Sequence, residues 1–237
     1  MRMRKKKNGA RRLALCDELL YKHSGAPLTD PSEVFSQKDK PVFLEIGAGK
    51  GGFAIQMARR NPDVCYFAME RVSDCVVLAA EAALAQADVK NLRFIVDTAD
   101  NLHTIFAPST VDAMFLNFSD PWSKKGYAKR RLTHSRYLAL YLALMKEGAT
   151  LTFKTDNVEL FDFTLEQIGE MGLTPTKLTR DLHASEYNED NVMTEYERNF
   201  TEQGMKINMV QIEKPLGYSC SVPEEFFGIR RSTDEND

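Results

Sequence analysis

Short apolar runs, closed by glycine, asparagine or proline, alternate along the chain with longer stretches whose apolar residues recur at helical spacing. Residues 42–46, entered from Pro41 and followed by glycines, predict a buried strand. Residues 51–60 predict a helix halted at Asn61-Pro62, because the residue before a proline is held away from helical geometry. The alternation continues with a strand at 64–69 and a helix at 73–86 with Ser73 as N-cap. Strands at 92–97 and 112–117 follow, then a helix at 133–145, a strand at 149–154, a helix at 159–171 before Gly172, and a late strand at 206–213. Such alternation implies a parallel sheet with helices on both faces. Ahead of it, residues 1–12 read as a disordered basic arm and 13–23 as a short helix, with loop around Pro27, Asp30 and Pro31. The expected organisation is an arm with a short helix over 1–23, one domain over 24–217 and a tail over 218–237.

A chain of 237 residues fits one domain with short extensions. No apolar run approaches the roughly 20 residues of a membrane span, so no membrane partner is expected. The basic N-terminus is not followed by the apolar core of a signal peptide. Cys16, Cys65, Cys75 and Cys220 form no CxxC pair and the four histidines lie far apart. This argues against a disulfide framework or a metal site and fits a reducing cytoplasm. The net charge of −3 hides two basic clusters. Residues 1–12 hold Arg2, Arg4, Lys5, Lys6, Lys7, Arg11 and Arg12, and residues 124–136 hold Lys124, Lys125, Lys129, Arg130, Arg131 and Arg136, neither with an acid. Clusters of this kind bind a polyanion locally or simply solvate a surface, and charge alone does not choose.

The turn Glu45-Ile46-Gly47-Ala48-Gly49-Lys50-Gly51-Gly52 joins the first strand to the first helix. Glycines there permit a tight turn and close approach to a ligand, and Gly47, Gly49 and Gly52 satisfy GxGxxG. Glu70 ends the second strand, where a carboxylate accepts from ribose hydroxyls, a feature of both NAD and S-adenosylmethionine sites. Glu45 separates the two. A carboxylate before the first glycine would repel a pyrophosphate but suits the cationic amino-acid end of S-adenosylmethionine.

The most specific block is Leu116-Asn117-Phe118-Ser119-Asp120-Pro121-Trp122-Ser123-Lys124-Lys125, leading into Lys129-Arg130-Arg131-Leu132. With EIGAGKGGF at 45–53, FKTD at 153–156 and MTEYE at 193–197, it closely resembles the bacterial tRNA (guanine-N7)-methyltransferase family from about residue 41 to about residue 213. The resemblance implies a Rossmann-like seven-stranded methyltransferase sheet, mostly parallel, with S-adenosylmethionine as cofactor, S-adenosylhomocysteine as product and no metal. It implies tRNA as partner, with a variable-loop guanine as the methylated base, and a monomer or homodimer in the cytoplasm. Carried over by position, Glu45, Gly47, Gly49, Glu70 and Asp120 match cofactor contacts, and Asp120 is also the catalytic position. Lys124, Asp156, Thr194, Glu195, Tyr196 and Glu197 match substrate-binding positions, and Gly126, Tyr127, Ala128, Lys129, Arg130 and Arg131 match the RNA-contacting segment. Two departures stand out. Ser123 replaces a proline and Gly126-Tyr127-Ala128 a more basic stretch. At the third strand, Ala99 matches the family's alanine, which puts Thr98 where the family has an acid, with Asp97 one residue earlier, so either Asp97 or Thr98 holds the adenine.

The residues suit this chemistry. Guanine N7 offers a free lone pair, so methyl transfer needs positioning rather than a strong base. A fixed carboxylate such as Asp120 stabilises the positive charge that develops on the purine. Trp122 either stacks on a base or anchors the loop. Thr194 and Glu197 alternatively form a capping box at a helix start. Two other functions stay open at this point: an RNA-binding protein that keeps the fold without activity, and a nicotinamide-dependent oxidoreductase resting on GxGxxG alone.

Overall fold

The computed structural model describes residues 7–23, 25–86 and 88–228. Seven strands, β1 Val42–Ile46, β2 Cys65–Glu70, β3 Leu92–Val96, β4 Val111–Asn117, β5 Met145–Thr155, β6 Lys177–Thr179 and β7 Asn208–Glu213, form one sheet. Its order is β3-β2-β1-β4-β5-β7-β6, with β1 to β5 parallel and β7 antiparallel to both of its neighbours. The helices are α1 Gly9–Ala14, α2 Gly52–Arg60, α3 Ser73–Leu84, α4 Leu102–Ile105, α5 Ser135–Leu144, α6 Val158–Glu170 and α7 Glu195–Glu202. Strand order reverses between β1 and β4, which opens a crevice beyond their carboxyl ends where open α/β sheets bind ligands.

The central strands are mostly apolar because both faces are covered, with polar residues such as Glu45, Glu70, Asn117 and Lys154 toward their carboxyl ends. One face packs Leu44, Ile46, Phe67, Met69 and Leu116 against Leu138 and Leu142 of α5 and Leu160 and Phe161 of α6. The other packs Tyr66, Ala68 and Phe94 against Phe53, Ala54 and Ala58 of α2 and Val76, Ala79 and Ala80 of α3. Each fully buried side chain such as Phe67 contributes about 1.5–3 kcal/mol.

Several boundaries differ from expectation. The basic segment is helical from Gly9, because Arg12 reaches Glu81 of α3 through two hydrogen bonds of 2.7 and 2.6 Å. Residues 1–6 of the expected arm lie outside the described residues. In place of a helix over 13–23 there is a 3-10 turn at Asp17–Leu19 and a β-bridge from Leu20 to Phe94, which buries Cys16 and Leu19. Val72, not Ser73, caps α3, since its N–H is taken by the Glu70 carboxylate. Helix α5 stops at Leu144, and β5 runs on from Met145 through Gly148, whose φ of 76° absorbs the bend. Residues 218–228 of the expected tail are packed, Phe226 buried against Tyr137 and the Tyr218 hydroxyl donating to the Met171 carbonyl, while 229–237 lie outside the described residues. No helix among the described residues is long and apolar enough to cross a membrane.

Candidate functional site

Strand register places four polar side chains on one face of the sheet. Glu45 pairs with Ala68 and with Phe115. Glu70 lies two residues beyond Ala68, Asn117 two beyond Phe115, and Asn117 pairs with Lys154. Alternate residues share a face, so Glu45, Glu70, Asn117 and Lys154 line the side covered by α2, at the carboxyl ends of their strands.

The glycine turn is pinned to that edge. Gly47 and Ala48 donate to the Met69 carbonyl at 2.8 and 2.9 Å, and Gly49 donates to Glu70 at 3.0 Å. Gly47 and Gly49 are left-handed (φ 83° and 55°), and a Cβ at either would meet nothing within 4 Å, so open space faces both. Close packing falls at Gly51 and not at the third motif glycine, Gly52. Gly51 (φ 76°) caps α2, and a Cβ there would lie 2.7 Å from Ala79, whereas one at Gly52 meets nothing within 4 Å. The cap of α2 therefore sits against α3 at Ala79, with the Phe94 ring of β3 next, 3.1 Å from a Cβ at Gly51.

Glu45 is 2% exposed. Its Oε1 accepts from Asn117 Nδ2 at 3.0 Å and its Oε2 has no partner. Burial pushes its carboxyl up to about 7, with the Asn117 bond and the Lys154 charge pulling the other way and Glu70 adding to the rise. Asn117 Oδ1 and Ser119 Oγ are likewise buried and unpartnered. These orphaned acceptors beside an open glycine turn fit a cationic ligand. Glu70 accepts from Gly49 and Val72 N–H and keeps lone pairs for ligand hydroxyls.

Asp120 is exposed and lies 3.8 Å from Arg71, just past β2. It sits between two non-glycine residues in left-handed geometry, Phe118 (φ 53°) and Trp122 (φ 42°), each at a cost on the order of 1 kcal/mol. Phe118 is held by a hydrogen bond to the Lys154 carbonyl at 2.9 Å and stacks on Tyr196 and Phe200. Half-buried Trp122 meets Tyr127 edge-on, and Arg130 lies over both rings. Gly126, Tyr127 and Ala128 fall within a 3-10 helix, Lys125–Arg130. Arg131 turns inward, donating to the Pro121 and Trp122 carbonyls at 3.0 and 3.3 Å and lying over Phe163. Lys124, Lys125, Lys129 and Arg130 are exposed and have no acidic partner among the described residues.

Asp97 Oδ1 accepts from Thr98 N–H at 2.7 Å and Asn101 Nδ2 at 2.6 Å, which fixes the turn, while Thr98 is exposed. Asp156 follows β5, half-buried. Thr194 and Glu197 form the capping box of α7. Glu197 is fully buried and accepts from Lys154 at 2.7 Å and Asn191 at 2.5 Å, with His183 Nε2 3.1 Å from its Oε1. Lys154 spends its remaining donors on Asn191 and the Val192 carbonyl. Burial lowers its pKa and the Glu197 charge opposes that. Thr194 and Glu197 therefore mount the helix, and its exposed first residues, Glu195 and Tyr196, face the site, with Glu195 2.9 Å from Lys50 of the glycine turn. Lys154, Asn191 and His183 carried no role in the sequence reading. The signal for Lys154 was a charge inside an apolar strand, which requires a partner.

The glycine turn, the acids at the first two strand ends and an antiparallel β7 in a 3-2-1-4-5-7-6 sheet together define a Rossmann-like methyltransferase. The fold is shared with the 16S rRNA methyltransferase KamB (TM-score 0.60, 16% identity, covering 83% of this chain and 99% of that one) and with the antibiotic-resistance methyltransferase Kmr (TM-score 0.55, 16% identity, 84% and 98%). Residues 39–210 match the family model described as "Putative methyltransferase". The chain is 44% identical over 176 residues to the tRNA (guanine-N(7)-)-methyltransferase of Lachnoclostridium phytofermentans, covering 74% of this chain and 81% of that one. It is 37% identical over 204 residues to that of Bacillus subtilis, covering 83% and 94%. The chain belongs to the tRNA (guanine-N7)-methyltransferase family.

Proposed function

We propose that the chain transfers the methyl group of S-adenosylmethionine to N7 of a guanine in the variable loop of tRNA, working in the cytoplasm where that substrate is found. The observation that carries the reading is the buried, half-satisfied Glu45 carboxylate at the switch point, beside the loop that presents Asp120 and four unpaired cations. The donor, when bound, supplies a methyl carbon that passes to N7 as sulfur keeps the bonding electron pair. Glu45 holds the donor's ammonium, Gly47 and Gly49 let its chain cross the turn, and Glu70 accepts from the ribose hydroxyls. Asp97, whose Oδ1 takes two donors in its own turn and whose Oδ2 is left for a ligand, and the exposed Thr98 both stay candidate adenine partners.

Asp120 acts by charge and position. N7 has its own lone pair, so Asp120 does not remove a proton there. It pairs with guanine N–H donors and stabilises the cationic purine as it forms. Tyr196 and Trp122 offer ring faces to the base, and Glu195 and Asp156 offer acceptors. Lys124, Lys125, Lys129 and Arg130 bind phosphates, which sets register without reading sequence.

The test is methyl transfer from labelled S-adenosylmethionine to unfractionated tRNA, followed by chemical cleavage specific for N7-methylguanosine. The label is expected at one cleavable guanine. Label elsewhere, or none, overturns the reading. Asp120→Asn keeps the shape and removes the charge, and its kcat is expected to fall by about 100-fold or more, as for loss of one transition-state contact. Near-normal turnover would discard the electrostatic role.

A further inference from the structure

We infer that Glu45 and Asn117 form a cation-exchange seat: the Glu45 carboxyl carries a proton in the free chain, and the primary ammonium of the methyl donor replaces it, so that donor binding expels a proton. The inference rests on the donor reading above and adds a specificity and a linkage to it.

The geometry leads there by elimination. Glu45 is 2% exposed, so water does not stabilise its charge. A buried carboxylate stays ionised only with donors or a cation at hand, and otherwise it keeps its proton. Among the described residues its one donor is Asn117 Nδ2, on Oε1, and Oε2 has none. The neighbouring groups do not change this. From β2, Glu70 adds negative charge, and the buried Tyr66 hydroxyl has no hydrogen-bond partner. From β5, Lys154 is the nearby cation, but its three N–H groups are taken by Glu197, Asn191 and the Val192 carbonyl. From α2, Phe53 offers only a ring, on which Lys154 rests at 5.1 Å. Asn117 Oδ1 is a second buried acceptor without a partner on the residue that already binds Glu45. A primary ammonium brings three N–H donors and a full charge, which answers both orphaned acceptors and ionises the acid. The upward displacement of the carboxyl to about 7 agrees with a proton held near neutrality.

The experiment is calorimetric titration of the full chain with S-adenosylhomocysteine in buffers of different ionisation enthalpy. With a free-state value of about 7, release of about half a proton is expected at pH 7 and nearly a whole one at pH 6, and affinity should tighten about eightfold from pH 6 to 7.5. The companion ligand 5′-methylthioadenosine shares the nucleoside and lacks the ammonium, and is expected to bind with no proton release. Glu45→Gln should abolish the release. Binding of S-adenosylhomocysteine without proton release overturns the inference and leaves the donor reading standing. Equal release with methylthioadenosine, or release that survives Glu45→Gln, also overturns it. Failure of S-adenosylhomocysteine to bind at any pH removes the donor reading and this inference with it. If Glu45→Gln does not fold, the two-ligand comparison still decides.

Discussion

Lys154→Met isolates the buried ionic hub under α7. The methionine keeps an unbranched stem of similar length and removes the charge with its three donors, to Glu197 at 2.7 Å, Asn191 at 2.9 Å and the Val192 carbonyl at 3.0 Å. Glu197 would remain fully buried and ionisable, with Asn191 as its remaining side-chain donor and His183 nearby. Removing one partner of a buried pair costs about 3–5 kcal/mol, because the other charge is stranded out of water. For a chain of this size that lowers Tm by roughly 6–20 °C. Urea denaturation measures the loss directly. The double variant Lys154→Met/Glu197→Met replaces the pair by apolar contact and should recover most of it, since apolar replacement of buried pairs is often neutral. The double variant should still show a raised KM for tRNA, because α7 then lacks the bond that sets Glu195 and Tyr196 beside the glycine turn. A single variant within 1 kcal/mol of the parent, or a double variant no better than the single, would refute the reasoning.

Five further variants probe the site. Gly51→Ala, with a Cβ 2.7 Å from Ala79 at φ 76°, should lose about 2–4 kcal/mol from strain and overpacking, measured by thermal unfolding. Gly49→Ala, in open space, should lose only about 1 kcal/mol and instead weaken S-adenosylhomocysteine binding. In the ligand-free chain, the Glu45 carboxyl sits at about 7 against 4.5 unfolded. Its contribution to stability is complete below 4.5 and fades as pH rises through 7, so Glu45→Gln should gain about 2 kcal/mol over the parent between pH 5 and pH 8, read from unfolding curves. Arg130→Ala should flatten the salt dependence of tRNA binding by about one counterion, whereas Arg131→Ala, which frees the Pro121 and Trp122 carbonyls, should lower kcat with a smaller change in slope.

The parallel sheet was legible because residues 42–46, 64–69 and 92–97 are mostly apolar runs between breakers, interrupted only by Glu45, Arg93 and Asp97, and two-faced burial demands that pattern. Strand β6, Lys177–Thr179, was not, because at a sheet edge two half-buried residues around an exposed Leu178 carry no apolar signature of a buried strand. The docking of α1 was hidden because its partner Glu81 lies far away in sequence, so Arg12 reads as one more charge in a basic run. Asp120, Glu45 and Glu70 were marked by their places at strand ends. The division of work within residues 194–197 was not, since sequence distinguishes neither a buried Glu197 from an exposed Glu195 nor a capping role from a binding one. Arg131 shows the same limit: its inward turn depends on carbonyls freed by the left-handed Trp122.

The reversal of β7 has a consequence for how substrate choice is built. Strand β6 ends at Thr179 and β7 begins at Asn208, and both termini lie at the sheet edge where Thr155 finishes β5. The whole intervening stretch, 180–207, is therefore suspended over the crevice without contributing a strand to the scaffold. It forms a visor riveted to β5 by the buried Glu197–Lys154 pair, so a change in its length or composition has to keep that rivet.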